Sequence, residues 1–205
     1  MFPAIHQLAE TLASQHDQIP AERKAILAKI AAYIQGKKDQ DLPIRLVFIC
    51  THNSRRSHFG QIAAAVAAEF YGIKNVKVYS GGTEATAFHP NAIHALRSLG
   101  FFIESADDTV KNPIWNVHFG DQGQATTCFS KTYDDAANPR QGFAAIMTCS
   151  DAEQNCPFVP GTELRIGTTY NDPKASDGTP EQAQVYRERF EQILRELLYA
   201  FGLVQ

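Results

Sequence analysis

The sequence predicts an α/β fold in which a doubly wound parallel sheet of four strands carries helices on both faces. From residue 44 onward, short apolar runs alternate with amphipathic segments whose apolar residues lie three or four positions apart, the pattern of parallel strands joined by crossover helices. With 205 residues and 44% of them apolar, the chain is also long enough to bury one large core. We therefore predict an α/β domain over residues 43–205, preceded by a helical extension over residues 1–42.

The extension is predicted to contain two helices, because its apolar residues recur at helical spacing up to residue 36. Pro20 and Gly36 mark the two ends of the second helix, and the polar residues 36–41 are predicted to be a linker. The extension carries five basic and five acidic side chains, so it is a poor fit to a DNA-reading module. We expect it to pack on the domain or on a second subunit.

The domain is predicted to begin with a buried strand. Four apolar runs are the predicted strands: IRLVFI (44–49), VKVYS (76–80), GFAAIMT (142–148) and ELRIG (163–167). The predicted helices include one ending at Gly72, one over residues 90–100 and a long last helix with a capping-box pattern at residues 179–182. Residues 104–142 break the alternation, and the turn-forming residues 120–123 between two apolar stretches predict an inserted hairpin.

Charge and cysteine content limit the partners and the compartment. The net charge is −3 with both signs spread along the chain, so no broad basic field is available for nucleic acid or an anionic membrane. The first residues lack a signal-peptide pattern, and no stretch approaches the roughly 18 apolar residues of a membrane span. We therefore expect a cytoplasmic protein. Its cysteines are too few for a secreted disulfide scaffold, which leaves reactivity as their use. They are Cys50, Cys128, Cys149 and Cys156.

Residues 50–57, CTHNSRRS, join the first predicted strand to the helix after it. Such a loop directs backbone N–H groups and the positive end of a helix dipole at one spot, where a tetrahedral oxyanion fits. Cys50 is then a candidate nucleophile, Arg56 can grip two oxygens with its planar fork, and Ser57 can donate to the thiolate. The predicted oxyanion-binding residues are Thr51, His52, Asn53, Ser54, Arg55 and Arg56. The alternative is that Cys50 is an inert buried cysteine. This explanation is the poorer one, because an arginine and a serine follow the cysteine at positions +6 and +7.

The loop resembles that of the low-molecular-weight protein tyrosine phosphatases and of the thioredoxin-coupled arsenate reductases built on the same fold. The resemblance runs over residues 44–198 and includes YSGGTEATAFHPNAIHALRSLGF (79–101) and NDPKASDGTPEQAQVYRERFEQI (171–193). It implies a low-molecular-weight phosphatase-like fold, with Cys50 as nucleophile and Arg56 as oxyanion clamp. It also implies that Asn53 holds the loop and that Asp172 is the general acid, since a carboxyl group on a loop can protonate a leaving oxygen.

The segment MTCSDAEQNCP, residues 147–157, separates the two branches of this family. Reduction of arsenate needs two electrons, for which thiols are a source, whereas phosphate hydrolysis needs only water. By the resemblance, Cys50 attacks arsenate, Cys149 attacks the adduct and releases arsenite, and Cys156 attacks the resulting disulfide. Thioredoxin then reduces the Cys149–Cys156 bond. Packing cysteines and metal ligands are the alternatives, but zinc sites show closer pairs with matching partners, so no metal is predicted.

Arsenate reduction is therefore the leading hypothesis, and hydrolysis of phosphate monoesters through a phosphocysteine is the second. Phosphatases of the family carry tyrosines after the Asp-Pro pair, whereas Lys174 and Ala175 stand there in this chain. Tyr170, or Trp115 and Phe119 of the hairpin, are the aromatic residues left to replace that platform. A third hypothesis, from another class, is a non-catalytic oxyanion-binding or interaction module.

Three positions in and near the loop depart from the family pattern. His52 stands where the family has glycine, which predicts either a left-handed backbone there or a different loop path. Arg55 stands in place of a second loop cysteine. Gln61 replaces a glutamate that, with Asn53 and Ser80, helps to hold potassium in some reductases of the family. Because its charge is lost, the cation site is weakened, and neither potassium nor another cofactor is predicted.

Overall fold

A parallel four-stranded sheet lies at the centre of the fold in the computed structural model, which describes residues 1–121, 123–155 and 158–205. In the described residues the strands are β1 Ile44–Cys50, β2 Val76–Gly82, β3 Phe102–Ser105, β4 Trp115–His118, β5 Ala125–Cys128, β6 Phe143–Met147 and β7 Thr162–Gly167. The order across the parallel sheet is β2-β1-β6-β7. β1 and β6 are its inner strands, which agrees with their nearly continuous burial. The predicted α/β fold is confirmed.

Helices cover both faces of this sheet. They are α1 Pro3–Ala13, α2 Ala21–Asp39, α3 Arg56–Phe70, α4 Pro90–Ser98, α5 Ser150–Asn155 and α6 Gln182–Gly202, with 3-10 turns at His16–Gln18 and Pro173–Ser176. The face that carries Leu46, Phe48 and Ile146 belongs to the larger core, which includes α3 and α6. The opposite face, with Val47 and Ile49, packs toward α5. Among the described residues, no helix combines the length and apolar character needed to cross a membrane.

The N-terminal helices belong to the larger core. Five of their apolar side chains are fully buried: Ile5, Ala9, Leu27, Ile30 and Ile34. Both helices pack on α6. The predicted end of the second helix is wrong, because α2 runs through Gly36 to Asp39. The space beside Gly36 is open, and Lys37 in the last turn is paired with Glu163 at 2.7 Å, so the first part of the predicted linker is helical.

The predicted hairpin is present within a three-stranded antiparallel sheet. β4 pairs with β5 across a turn in which Gly123 has a φ of +71°. β3, which the sequence pattern did not predict, pairs with β4 and sets Ile103 opposite Val117. Both of these side chains are buried, whereas Phe102 is 56% exposed. A strand of four residues is too short for its alternation to stand out in the sequence.

The last helix begins later than the capping-box pattern predicts. α6 starts at Gln182, and the Thr179 hydroxyl donates to Ser176 O at 2.8 Å instead of capping it. Gln182 does reach back, but its Oε1 accepts from the Gly178 N–H. The capping box is therefore wrong, because the loop after the 3-10 turn closes through its own side-chain hydrogen bonds before the helix starts.

Candidate active site

In the loop between β1 and α3, residues 51–55, neighbouring segments occupy three of the carbonyl groups, whereas the N–H groups have no acceptor among the described residues. Neighbouring segments donate to the carbonyls: the Glu84 N–H to Thr51 O (2.9 Å), the Thr86 and Ser130 hydroxyls to His52 O (3.1 and 3.0 Å), and the His89 N–H to Ser54 O (3.0 Å). In the part of the chain that the structure describes, no N–H of residues 51–57 donates to a protein acceptor. Free N–H groups gathered at the start of a helix are suited to a tetrahedral oxyanion.

Asn53 is the residue at which this loop turns. Its φ is +44°, so the left-handed position considered for His52 lies one residue later, where asparagine tolerates it better. The Asn53 side chain donates to Ser57 Oγ at 2.8 Å and accepts from the Lys131 N–H at 2.9 Å. Of the two alternatives predicted for His52, the different loop path is the one found.

Cys50 ends β1 at the base of the loop. It is 4% exposed, and its Sγ lies 3.1 Å from Ser57 Oγ. Ser57 accepts a hydrogen bond from Asn53, so its own hydrogen is available to the sulfur. The structure therefore brings together the three residues that the sequence assigned to the nucleophile, its hydrogen-bond donor and the support of the loop.

Arg56, the first residue of α3, joins the loop to the segment that carries the predicted acid. Its Nη1 donates to Tyr170 O at 2.9 Å and its Nη2 to Asp172 Oδ2 at 2.7 Å. Its buried Nε has no partner among the described residues. Asp172 also accepts from the Lys174 N–H at 3.0 Å, which fixes the carboxyl group at the start of the 3-10 turn.

The side chains of the other two basic loop residues are engaged elsewhere. Arg55 donates from Nε to the Tyr186 hydroxyl at 2.7 Å, and its Nη2 lies 3.4 Å from Asp177 Oδ2. His52 is half-exposed, and its Nε2 lies 3.6 Å from Glu84. In this arrangement only the backbone N–H groups of Arg55 and His52 are left for the oxyanion binding that the sequence predicts.

A buried polar cluster supports the residues that precede Asp172. Arg23 of α2 donates to Thr168 O at 2.7 Å and to Glu196 Oε2 at 2.8 Å. Tyr170 donates to the same carboxylate at 2.7 Å, and the Arg23 guanidinium lies 4.8 Å from the centre of its ring. The N-terminal extension thus contributes a side chain directly behind the predicted acid.

A second cysteine lies beside the oxyanion loop. β6 runs next to β1, and Thr148 extends that pairing by donating to Ile49 O from both its N–H and its hydroxyl. Cys149 is the next residue and is fully buried. Its Sγ lies 3.5 Å from Thr51 Oγ1 and accepts from the Ala152 N–H at 3.4 Å.

The two cysteines at these neighbouring strand ends share one buried cluster. Adjacent strands are about 4.8 Å apart, and a disulfide joins Cα atoms that are about 4.4–6.8 Å apart. The pairing of β1 with β6 therefore puts the backbones of Cys50 and Cys149 at neighbouring strand ends. Cys156, the third cysteine of the predicted relay, lies outside the described residues.

Two polar residues under the loop escaped the sequence-based prediction. His58 is fully buried, and its Nδ1 lies 3.1 Å from Ser80 Oγ. Burial, and after it the charge of Lys131, lowers the pKa of His58 to about 3, so the ring is neutral near pH 7. Lys131 is 4% exposed, and burial lowers its pKa as well. The backbone N–H of Lys131 donates to the Asn53 side chain, and no local pattern could have revealed this hydrogen bond because the two residues are 78 positions apart in sequence.

Two further residues singled out from the sequence, Gln61 and Cys128, are buried in the fold. Gln61, which stands in place of the family's glutamate, donates to Thr126 Oγ1 at 2.7 Å and to Thr127 O at 2.8 Å. Burial raises the pKa of Cys128 to about 12, so this thiol is protonated and unreactive. Within the described ranges, His, Cys, Asp and Glu side chains form no group of three or more that could hold a metal ion.

Comparison with known proteins gives both branches of one family. A family model described as low molecular weight phosphotyrosine protein phosphatase matches residues 45–114. An arsenate reductase of Bacillus licheniformis is 29% identical over 158 residues, which are 77% of this chain and 94% of that protein.

Two solved structures share the fold. One, described as an arsenate reductase in the phosphate binding state, has a TM-score of 0.51 at 17% identity and covers 79% of this chain and 99% of its own. The other, a low molecular weight phosphotyrosine phosphatase from Vibrio cholerae, has a TM-score of 0.50 at 12% identity and covers 78% of this chain and 94% of its own. At such identities the likeness concerns the fold alone, and it does not separate a reductase from a phosphatase.

Proposed function

Because the chain is an enzyme of the family that comprises low-molecular-weight phosphotyrosine protein phosphatases and arsenate reductases of the same fold, we propose that it reduces arsenate to arsenite. The arsenate would bind to the free N–H groups of the oxyanion loop and to Arg56. The electrons would come from a relay of three cysteines, and thioredoxin would restore the relay in a reducing, cytoplasmic compartment.

In the first step the Cys50 thiolate attacks arsenic, and Asp172 protonates the departing oxygen, which leaves as water. In the second step the Cys149 sulfur attacks the Cys50 sulfur. The S–S bond forms, the S–As bond breaks, and its electron pair stays on arsenic, which leaves as arsenite. Cys156 then attacks Cys149 and releases Cys50 as a thiolate. Thioredoxin reduces the Cys149–Cys156 disulfide by thiol exchange.

The position of Cys149 carries this proposal. A phosphatase needs no thiol beyond Cys50, yet the neighbouring strand end buries a second one with its sulfur 3.5 Å from Thr51, the residue next to the nucleophile. The Ala152 N–H donates to that sulfur and helps to fix its position. Both features suit a sulfur that attacks Cys50.

The surroundings of the loop also favour a small oxyanion over phosphotyrosine. Tyr170 and Phe119, two aromatic residues that the sequence left as substitutes for the missing tyrosines, are only 6% and 5% exposed. Trp115, the third, has the Arg97 guanidinium 5.8 Å from the centre of its ring. The buried rings of Tyr170 and Phe119 therefore offer no open face on which a substrate ring could stack, and Arg97 covers one face of Trp115.

The test is arsenite production by the full chain with thioredoxin, thioredoxin reductase and NADPH. We expect Cys149→Ser and Cys156→Ser each to lower steady-state turnover at least about a hundredfold, because each breaks the return of Cys50 to its thiolate. Cys128→Ala serves as the matched control, since Cys128 lies outside the relay, and it should retain turnover. If both variants retained arsenite production, the proposed relay of three cysteines would be disproved.

Hydrolysis of phosphate monoesters is the second candidate, and the match of residues 45–114 to a phosphatase family model favours it. It would use the same attack by Cys50, with water releasing phosphate from the cysteine. Steady hydrolysis of phenyl phosphate that is unchanged in Cys149→Ser, together with no thioredoxin-dependent arsenite production by the wild type, would establish this candidate in place of the first.

A further inference from the structure

The acid segment, residues 172–177, is held at both ends by two consecutive arginines, Arg55 of the oxyanion loop and Arg56 at the start of α3. Arg56 donates to Asp172 at 2.7 Å, and Arg55 lies 3.4 Å from Asp177. The two contacts look alike in the free protein, but their surroundings predict that they respond differently when an oxyanion enters the loop.

The contact at Asp177 is part of a closed network. Tyr186 accepts from Arg55 and donates to Asp177 Oδ1, both at 2.7 Å. Asn91 donates to the same oxygen at 3.0 Å, and His89 Nε2 lies 3.9 Å from the other one. Burial and the Asp177 carboxylate raise the pKa of Tyr186 to about 12, so its hydroxyl keeps the proton that it donates. Since Tyr186 is fully buried in α6, this end of the acid segment is fixed to the core.

The contact at Asp172 has a competitor. Arg56 is the proposed oxyanion clamp and its buried Nε has no partner among the described residues, so a bound oxyanion would attract the N–H groups that now hold Asp172. Arg55 is exempt from this competition, because its Nε is taken by Tyr186 and its Nη2 faces Asp177. Binding of an oxyanion would therefore release one end of the acid segment and leave the other in place.

We propose that Arg55, Tyr186 and Asp177 form an anchor that keeps Asp172 in position to protonate the leaving oxygen while an oxyanion occupies Arg56. They are positioning residues, because they act on the leaving oxygen only through Asp172. The inference rests on the roles proposed above for Cys50 and Asp172, which the reductase and the phosphatase share.

The experiment uses two aryl phosphates that differ in their need for an acid. Cys50 attack forms an S–P bond and breaks the P–O bond of the ester, and phenolate needs the proton of Asp172, whereas dinitrophenolate is stable without it. We expect Asp177→Asn and Tyr186→Phe to lower kcat/KM for phenyl phosphate at least about tenfold, as part of the effect of general acid catalysis. The same variants should change kcat/KM for 2,4-dinitrophenyl phosphate and the inhibition constant of inorganic phosphate less than about twofold, because kcat/KM excludes the later hydrolysis of the phosphocysteine, which both esters share.

Two controls separate the anchor from the proposed function. Asp172→Asn must itself show the selective loss with phenyl phosphate; if it does not, the acid role of Asp172 fails. If Asp172→Asn shows that loss and neither anchor variant does, the anchor is overturned. Equal losses on both esters also overturn it, because they indicate damage to the oxyanion loop. Asp134→Asn, an exposed aspartate outside the network, is the matched substitution and should leave all values unchanged.

Hydrogen exchange tests the anchor even if the wild type hydrolyses neither ester. The Asp177 and Thr179 N–H groups donate to Lys174 O and Ser176 O, so their exchange reports the order of the acid segment. In saturating inorganic phosphate, we expect exchange in peptides covering residues 173–181 to be at least about fivefold faster in Asp177→Asn than in Asp134→Asn. Equal exchange in the two variants overturns the anchor.

Discussion

The oxyanion loop and the segment that carries Cys149 lie side by side and are held in different ways. The loop, residues 51–55, is fastened through its own backbone, since its carbonyl groups accept from residues of two other segments and Asn53 ties it to α3 and to Lys131. α5, which begins directly after Cys149, has six residues. It is attached through the buried Ala152 and through an ion pair between Glu153 and Arg165 at 3.0 Å.

This difference separates the two halves of the proposed chemistry. Oxyanion binding and attack need N–H groups in a fixed array, because such an array stabilises developing charge without reorganising. Attack of the Cys149 sulfur on the Cys50 sulfur needs one sulfur to approach the other, which would require movement of the segment that begins with the short helix α5. A fold that keeps the oxyanion loop and its nucleophile unchanged can thus serve a hydrolase or a reductase, depending on the residues that come after β6.

The largest expected effect comes from removing the nucleophile on which both halves depend. We expect Cys50→Ser to lower arsenite production and release of phenol from phenyl phosphate by at least about a thousandfold, because a serine hydroxyl is a far weaker nucleophile without a base. Steady-state assays check this, with Cys128→Ala as the control. The inhibition constant of phosphate cannot be measured on an inactive variant, so binding is followed by calorimetry and should stay within about fivefold. Substantial turnover in Cys50→Ser would contradict a common first step.

The second-largest expected effect concerns oxyanion binding by Arg56 beside the loop. Arg56→Lys replaces a planar fork by a point charge, which cannot hold Tyr170 O and two oxyanion oxygens at once. We expect kcat/KM for both substrates to fall about a hundredfold and phosphate to bind more weakly. Arg97→Lys, remote from the loop at Ile103 O, is the matched control. Equal behaviour of the two variants would show that Arg56 does not clamp the oxyanion.

Backbone crowding behind the loop gives a smaller effect that needs no assay of activity. A Cβ on Gly82 would lie 2.3 Å from Glu84 O and 2.6 Å from Thr51 O, so Gly82→Ala should lower the free energy of unfolding by about 1–3 kcal/mol. It should also weaken phosphate binding. At Gly36 in α2, nothing lies within 4 Å of the added carbon, and Gly36→Ala should raise the free energy by about 0.5–1 kcal/mol. Urea denaturation measures both, and the same sign for both would disprove the crowding.

The two regions also differ in how far the sequence predicts them. The loop is continuous in sequence, so its strand, its nucleophile and the start of its helix could be predicted from spacing alone. Which loop residue takes the left-handed backbone conformation could not be predicted in this way. The choice between His52 and Asn53 depends on the Lys131 N–H, which binds Asn53 from a distant segment. The direction of the Arg55 side chain depends in the same way on Tyr186, whose polar tip in an otherwise apolar helix face was the available signal.

The neighbourhood of Cys149 could not be derived from spacing. A run of alternating strands and helices predicts a parallel sheet but not the order of its strands, and Cys149 lies beside Thr51 only because β6 pairs with β1. The short β3 and the start of α6 were missed because a local pattern does not show which partner a residue takes. In both places the pairings found in the fold, β3 with β4 and Thr179 with Ser176, took precedence over the local pattern.

Acid should weaken the loop side more than the neighbouring segment. The folded protein keeps His58 neutral down to a pKa of about 3, whereas in the unfolded chain it takes up a proton below about pH 6.5. The unfolded state therefore binds more protons in this window, and stability is lost as the pH falls through it. Between pH 7.5 and pH 5.5 we expect wild type to lose about 1 kcal/mol more than His58→Asn in urea denaturation. Parallel losses in the two proteins would show that His58 is not the group responsible.

The smallest effect concerns the attachment of α5. Glu153 and Arg165 are 34% and 22% exposed, so Glu153→Gln should cost less than about 1 kcal/mol and leave hydrolysis and phosphate binding within about twofold. If α5 opens as a local unit, the same change lowers the cost of opening, and labelling of Cys149 by a thiol reagent rises by up to about fivefold. The measurement is made in the Cys50→Ser, Cys156→Ser background, where the buried Cys128 is the slow internal reference. Labelling that matches global unfolding in both proteins would mean that α5 is held as firmly as the loop, and the contrast between the two regions would be lost.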